Sequence, residues 1–276
     1  MGRRGVALRE TPVLVTGASS GIGRALALEL AGRGARLAIA ARRAANLEEI
    51  ADRIAAAGGP RPHVLETDLS RPGAAADLAD RALAALGTVG VLVNNAGRGL
   101  AAAQCVTGDD LAARELFEVN FWSPIALTRA LLPALTGQSG TVVNVTSTLQ
   151  AVPIPTLGYY GAGKAALGHM TRTLRNELAG TGVSVLEVVP GGTDTAARDV
   201  DLLPWRNGPM RTPPPVTPGS SARAIATAIE KGKRRRVHPR SSLVPLEAPT
   251  LGRLIAATVA RRLATPDPRD TTPERT

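Results

Sequence analysis

The chain has 276 residues, 44% of them hydrophobic and 20% charged, a composition that fits a soluble globular domain and excludes a disordered or fibrous chain. Aromatic residues are only 2%, so Ala, Val, Leu and Ile must build the core, and no apolar run reaches the roughly 18 residues that cross a bilayer. The formal charge of +10 gathers at Lys231, Lys233, Arg234, Arg235, Arg236 and Arg240, but no helix-turn-helix or aromatic–basic stacking pattern accompanies it, which argues against nucleic acid as a partner.

The first ten residues carry Arg3, Arg4 and Arg9 but no apolar core, so no signal peptide is expected. Short, continuously apolar runs then alternate with Ala/Leu-rich stretches. Strands are predicted at Val13–Thr16, Arg36–Ala41, His63–Glu66, Val89–Val93, Thr141–Thr146 and Val183–Val189. Apolarity at consecutive positions suits strands covered on both faces, as in a parallel sheet. Helices are predicted between them at Gly23–Ala31, Ala44–Ala57, Pro72–Leu86, Asp109–Leu135 with a break near Pro124, and Gly158–Ala179. Ser70 followed by Pro72 reads as the start of the third helix. Six strand–helix repeats imply a single α/β domain over residues 1–264, a doubly wound parallel sheet with helices on both faces.

After Pro190 the rhythm breaks. Residues 193–218 hold six prolines together with Leu202, Leu203, Trp205 and Met210, and a loop of this length at a strand end reads as a lid over a crevice. Its four apolar residues can contact substrate or pack the lid onto the body; the sequence leaves both open. Ser220–Glu230 reads as a helix, Arg235–His238 as a possible last strand and Leu251–Leu263 as an amphipathic helix, within a C-terminal extension of about 232–264. The Pro- and charge-rich tail at 265–276 is expected to be disordered. Cys105 is the only cysteine, and His63, His169 and His238 show no ligand spacing. No metal site is therefore expected, and a reducing, cytoplasmic setting fits.

The first strand runs into Thr16-Gly17-Ala18-Ser19-Ser20-Gly21-Ile22-Gly23. Glycines there allow a tight turn and close approach to a pyrophosphate, which the N–H groups and partial positive charge of the following helix attract. At the end of the second strand, where an acidic residue would bind the ribose 2′-hydroxyl of NAD, stand Arg42 and Arg43. A guanidinium pairs with a 2′-phosphate instead. NADP(H) is favoured over NAD(H), with Arg42 as first contact and Arg43 as second.

Tyr160 and Lys164 are four residues apart in a predicted helix and share a face. A nearby ammonium favours the phenolate and suits tyrosine to acid–base work. Tyr159 is five residues from Lys164 and faces elsewhere. Ser147, just past the fifth strand, can hold a substrate oxygen beside the Tyr160 hydroxyl.

With TGASSGIG at 16–23, TDLS at 67–70, NNAG at 94–97, VN at 119–120, TS at 146–147, YGAGK at 160–164 and PGGTDT at 190–195, the chain resembles the short-chain dehydrogenase/reductase family. These stretches occur in family order. The resemblance implies roles residue by residue. Gly17, Ser19, Ser20, Gly21, Ile22 and Gly23 would cradle the phosphates. Asp68 and Leu69 would bind adenine, and Asn95, Ala96 and Gly97 would line the adenosine ribose. Asn120 would hold a water that links Lys164 to solvent, Ser147 would orient the substrate carbonyl, and Tyr160 would donate its proton. Lys164 would also bind the nicotinamide ribose, while Pro190, Gly191, Thr193 and Thr195 would hold the carboxamide end.

The sequence departs from the family at Gly161 and Gly163, which loosen the segment after Tyr160, and at Glu187, a charge inside an apolar strand for which the sheet end and a subunit contact are both open. The resulting expectation is an NADPH-dependent carbonyl reductase acting on a small, apolar carbonyl or alcohol, assembled as a homodimer or homotetramer through the 109–135 and 158–179 helices. A non-catalytic dinucleotide-binding sensor is the alternative. Contact of the basic run and the 251–263 helix with a membrane surface is compatible with the first.

Overall fold

Strand β1 (Pro12–Thr16) is buried at all five positions, because both of its faces carry helices. The computed structural model describes residues 5–194, 203–208 and 214–264. Six further strands, β2 (Arg36–Ala41), β3 (His63–Glu66), β4 (Val91–Asn94), β5 (Thr141–Val145), β6 (Ser184–Pro190) and β7 (Arg235–His238), complete one sheet of order β3-β2-β1-β4-β5-β6-β7. All pairings are parallel.

Side chains alternate between the faces, so each strand feeds two cores. Val13, Val15, Val91, Val93, Val143 and Val145 meet α1 (Gly21–Gly32), α2 (Ala44–Ala56) and α8 (Pro218–Glu230) through Leu26, Leu30, Ile50 and Ile225. Leu14, Leu92, Val142 and Val185 point the other way, toward Leu78 on α3 (Ala74–Leu86) and Leu127 and Leu131 on α6 (Ser123–Gly137). The order runs outward from β1 to β3, then returns to place β4 beside β1. Between the carboxyl ends of β1 and β4 the direction of winding reverses and a crevice opens, the usual ligand position in such sheets.

Several boundaries differ from the sequence reading. The third helix starts at Ala74, not Pro72, after Gly73 with φ of 82°; Ser70 is instead drawn into a turn in which its N–H and hydroxyl donate to Asp68 Oδ1. The 109–135 helix is capped by Asp110, whose carboxylate accepts from the Ala113 N–H, and opens as α5 (Leu111–Phe117). Its irregularity is a π-turn at Glu118–Trp122, not a break at Pro124, which occupies the tolerant first turn of α6. The fourth strand begins at Val91 rather than Val89. The possible last strand is present as β7, parallel to β6. Short elements without an apolar period, α4 (Gln104–Thr107) and α9 (Leu243–Glu247), went unpredicted. The amphipathic stretch near the C-terminus forms α10 (Pro249–Ala260).

Leu203 and Trp205 pack with Leu157, Ile255, Val259 and Leu263. Ala264 N–H donates to Pro204 O at 2.7 Å and Arg206 N–H to Arg262 O at 2.9 Å. Of the four apolar residues of the 193–218 stretch these two therefore pack onto the body; Leu202, Met210 and the tail lie outside the described residues.

Glu187 acquires its partners from the fold. The strand register aligns Asn94 with Asn144, Asn144 with Glu187, and Glu187 with Arg235. The result is a polar row across the sheet on the side that carries α7 (Gly158–Glu177). Asn94 Nδ2 donates to Asn144 Oδ1 at 2.8 Å, and Asn144 Nδ2 to Thr171 Oγ1 at 2.9 Å. Glu187, 1% exposed, lies 3.5 Å from Arg172 and 3.7 Å from Arg235, and accepts from Gln150 Nε2 at 3.2 Å. It thereby joins the turn after Ser147, the helix bearing Tyr160 and Lys164, and the sheet edge. Glu187→Leu is expected to lower stability by about 1–3 kcal/mol, because Gln150 loses its partner in the interior. The two arginines reach solvent and rehydrate, which holds the loss below that of a sealed ion pair. Urea unfolding at neutral pH checks this.

Candidate active site

The crevice contains two adjoining cavities of about 150 and 280 Å³ that share Gly17, Ser20 and Gly97. The smaller is walled by Ser19, Arg42, Arg43, Asp68, Leu69 and Ala96. The larger is walled by Gly21, Ile22, Gly23, Asn95, Ser147, Tyr160, Lys164, Pro190, Gly191 and Thr193 among others. Every predicted site residue therefore borders one continuous cleft except Asn120, just behind it, and Thr195, which lies outside the described residues.

The glycine turn is set by close packing. Gly17 has φ of +66°, and a Cβ there would sit 2.7 Å from the Ala96 Cα; one at Gly23 would sit 2.2 Å from the Gly17 carbonyl. Only glycine lets α1 begin this close to the strand ends. Thr16, which sequence reasoning did not assign, staples the two strand ends: its Oγ1 donates to Val93 O at 3.1 Å and accepts from the Asn95 and Ala96 N–H groups at 3.1 and 3.0 Å. Its place at the tip of β1 was the available signal. Asn95, expected to line a ribose, uses its amide Nδ2 to donate to Thr16 O at 2.9 Å.

Ser20, the N-cap of α1, makes no side-chain cap bond to the first turn, leaving that turn's N–H groups and positive helix end facing the cleft. Arg43 donates to the hydroxyls of Ser19 and Ser20 at 3.2 and 3.0 Å, concentrating positive charge at the same point. Asp68 is opposed by its own burial, but the Ser70 donors and the charges of Arg42 and Arg71 hold its carboxyl below the usual range. Leu69 is fixed through its carbonyl, which accepts from Ser123 Oγ at 2.8 Å. Glycine cradle, open amides and two guanidiniums form a donor set suited to a phosphorylated dinucleotide.

At the other end of the cleft, Lys164 is 3% exposed and donates to the Val145 carbonyl at 3.0 Å. Its ammonium lies 5.9 Å from the centroid of the Tyr160 ring. Burial lowers the Lys164 pKa from 10.5 to about 8. Ser147 Oγ accepts from the Leu149 N–H at 3.2 Å, which fixes the side chain and leaves its own proton to donate. Tyr159 donates to the Gly108 carbonyl, turned away from the cleft as the spacing predicts. Asn120 is fully buried, and its amide closes a reciprocal pair with Arg98: Oδ1 accepts from Arg98 N–H at 2.8 Å and Nδ2 donates to Arg98 O at 2.9 Å. Its side chain pins the loop over Lys164, a use that sequence alone did not indicate. Gly161 has a spatial reason, since a Cβ there would press on the Leu149 carbonyl at 3.0 Å. At Gly163 the nearest atoms are 3.4 Å away, and nothing in the structure requires glycine.

A profile of the family described as short chain dehydrogenase matches residues 11–202. The chain belongs to the short-chain dehydrogenase family. Among the similar members, 11-beta-hydroxysteroid dehydrogenase A of Sesamum indicum is 33% identical over 82% of this chain and 68% of its own length. The chain spans only about half of some curated relatives, 51% for 11-beta-hydroxysteroid dehydrogenase 1A of Arabidopsis thaliana. Two solved short-chain dehydrogenases match most of the fold. One from Burkholderia cenocepacia, in complex with NADP, is 29% identical with a TM-score of 0.74, covering 95% of this chain and 100% of its own. One from Burkholderia phymatum, in complex with NAD, is 26% identical with a TM-score of 0.75, covering 90% and 97%.

Proposed function

We propose that this family member is an NADP(H)-dependent oxidoreductase that interconverts a carbonyl and a secondary alcohol on a small apolar substrate. The observation that carries the reading is convergence: Ser147, Tyr160 and Lys164 border the same cleft as the glycine cradle. Arg42 and Arg43, standing where an acidic residue would select NAD, favour the phosphorylated dinucleotide. The NADP complex of the Burkholderia cenocepacia relative agrees with that choice. Leu149 and Leu157 on the larger cavity, together with the names of the hydroxysteroid dehydrogenase relatives, make alicyclic ketones and alcohols the substrates to test first.

The bound dinucleotide supplies the hydride; the protein handles binding, orientation and the proton. Ser147 donates to the substrate oxygen and stabilises the charge that develops there. Tyr160 gives that oxygen its hydroxyl proton, and the Lys164 ammonium stabilises the phenolate left behind. Asn120 acts through Arg98 by holding the loop beside Lys164. In the oxidative direction the same proton returns to Tyr160.

The test is a fluorescence titration with NADPH and, separately, NADH, followed by absorbance assays with a panel of ketones and aldehydes. Tighter binding of NADPH with turnover of an alicyclic ketone is the expected result. Dinucleotide binding without turnover of any member would move the chain toward a sensing role, and preference for NADH would overturn the assignment of the arginines.

We further propose assembly as a homodimer or homotetramer through the α5–α7 side. Leu111 is 72% and Trp122 54% exposed there, with Met170 also at the surface, apolar side chains that a subunit contact on this side would cover. Trp122→Glu is expected to halve the particle mass in size-exclusion chromatography with light scattering. An unchanged mass would remove this face from the assembly.

A further inference from the structure

Residues 231–264 hold nine Lys and Arg but a single acid, Glu247. Most of the chain's excess charge of +10 therefore lies in this one segment. Among the described residues only Arg235 of these nine is paired with carboxylates, those of Glu187 and Glu247. Its pairing with Glu247 sets the α9 end against β7, so the basic edge strand and the α9–α10 corner form one surface. Arg240 at the end of β7 and Arg253, Arg261 and Arg262 along and just after α10 are all exposed.

The same corner exposes apolar side chains. Val244 and Leu251 are open to solvent, and Leu254 is 64% exposed. The opposite face of α10 is already used, with Ala256 and Val259 buried and Val259 in one cluster with Leu157 and Leu203. The segments Arg240–Glu247 and Thr250–Ala260 turn on each other by 98°, and among the described residues no single helix is long and apolar enough to cross a membrane. A helix of α10's length, about 18 Å, with leucines outward and arginines around them, suits an interface rather than a span.

We propose that the α9–α10 corner and the neighbouring basic edge dock this protein on the surface of an anionic lipid bilayer. Arginines there meet lipid phosphates while their aliphatic stems and the leucines enter the acyl boundary. A nucleic-acid partner would use the charge but give Leu254 no apolar environment, and an acidic protein would need a complementary apolar pocket as well. Because α10 packs in one cluster with Leu157, which also walls the larger cavity, docking sets that end of the cleft close to the membrane.

Co-sedimentation of the full chain with extruded vesicles tests it, using phosphatidylcholine alone or with about one-third phosphatidylserine, at about 0.15 and 1 M salt. Binding is expected only to the anionic vesicles and is expected to be lost at the higher salt. Leu251→Ser/Leu254→Ser and Arg253→Glu/Arg261→Glu should each weaken it about ten-fold, with circular dichroism and thermal melting unchanged. Absence of anionic binding, equal binding to neutral vesicles, or binding indifferent to both double variants would overturn the proposal. So would a leucine variant that changes particle mass instead of lipid binding, which would assign the patch to self-association. Tight retention of duplex DNA by wild type and leucine variant alike, without lipid binding, would assign the charge to nucleic acid.

Discussion

Tyr160→Phe is expected to lower kcat for carbonyl reduction by about 10²–10⁴-fold, the usual range for a general acid, while NADPH affinity changes little. Phenylalanine keeps the ring against which Lys164 sits 5.9 Å from the centroid and removes only the proton donor. A loss confined to kcat marks an interaction made in the transition state; an equal loss in binding would mark a damaged fold. The pH profile adds an independent check. Lys164 gives up its proton as pH rises through about 8, and a neutral amine no longer stabilises the phenolate left by proton donation, so reduction should decline on the alkaline side of that value. Stability moves the opposite way. The folded state releases the Lys164 proton near 8 and the unfolded chain near 10.5. Between those values the unfolded chain binds more protons, and the Lys164 contribution to stability rises with pH. Activity that falls while the fold holds firm separates the chemistry from denaturation. A flat profile in wild type would sink the role given to Lys164.

The parts of this architecture set by neighbours in the chain were legible from residue order. Continuous apolarity at Val13–Val15 and Val142–Val143 suited a strand covered on both sides, and the glycine run at Gly17–Gly23 between strand and helix pointed to a tight turn. Cleft-lining positions followed, because strand ends, turns and the Tyr160–Lys164 spacing are local features. What failed depended on competition or distance. Ser70 looked like a helix start, but Asp68 two residues earlier is a nearer acceptor for its N–H and hydroxyl, and Gly73 takes the left-handed turn. Sequence alone leaves Glu187 between the sheet end and a subunit contact, because Gln150, Arg172 and Arg235 reach it only through strand register and helix packing. Asn120 and Asn95 stand at or beside the cleft, but the partners of their amides, Arg98 and Thr16, had no signal in the sequence. A side chain's partner across 22 or 79 positions leaves no periodic trace.

Arg43→Ala is expected to weaken NADPH binding by roughly 10–150-fold and leave NADH binding nearly unchanged, the equivalent of about 1.5–3 kcal/mol for a hydrogen bond to a charged group. Sequence alone ranks Arg42 first, since it stands closer to the strand end. From the hydrogen bonds we infer the opposite ranking. Arg43 is held by the Ser19 and Ser20 hydroxyls at 3.2 and 3.0 Å, beside the open N-terminus of α1, so part of the ordering cost of gripping a phosphate is met before the ligand arrives. Arg42, exposed like Arg43, makes no hydrogen bond among the described residues; its charge faces Asp68, whose ionised form it helps to hold. Arg42→Ala should therefore weaken NADPH binding less than Arg43→Ala, by loss of long-range attraction that added salt already screens. Titrations of both variants with both dinucleotides, at low and high salt, separate the two arginines. A larger, salt-insensitive loss in Arg42→Ala would restore the order read from sequence and reduce Arg43 to a brace for the serine turn. An unchanged ratio of NADPH to NADH affinity in both variants would mean that neither guanidinium reads the 2′-phosphate.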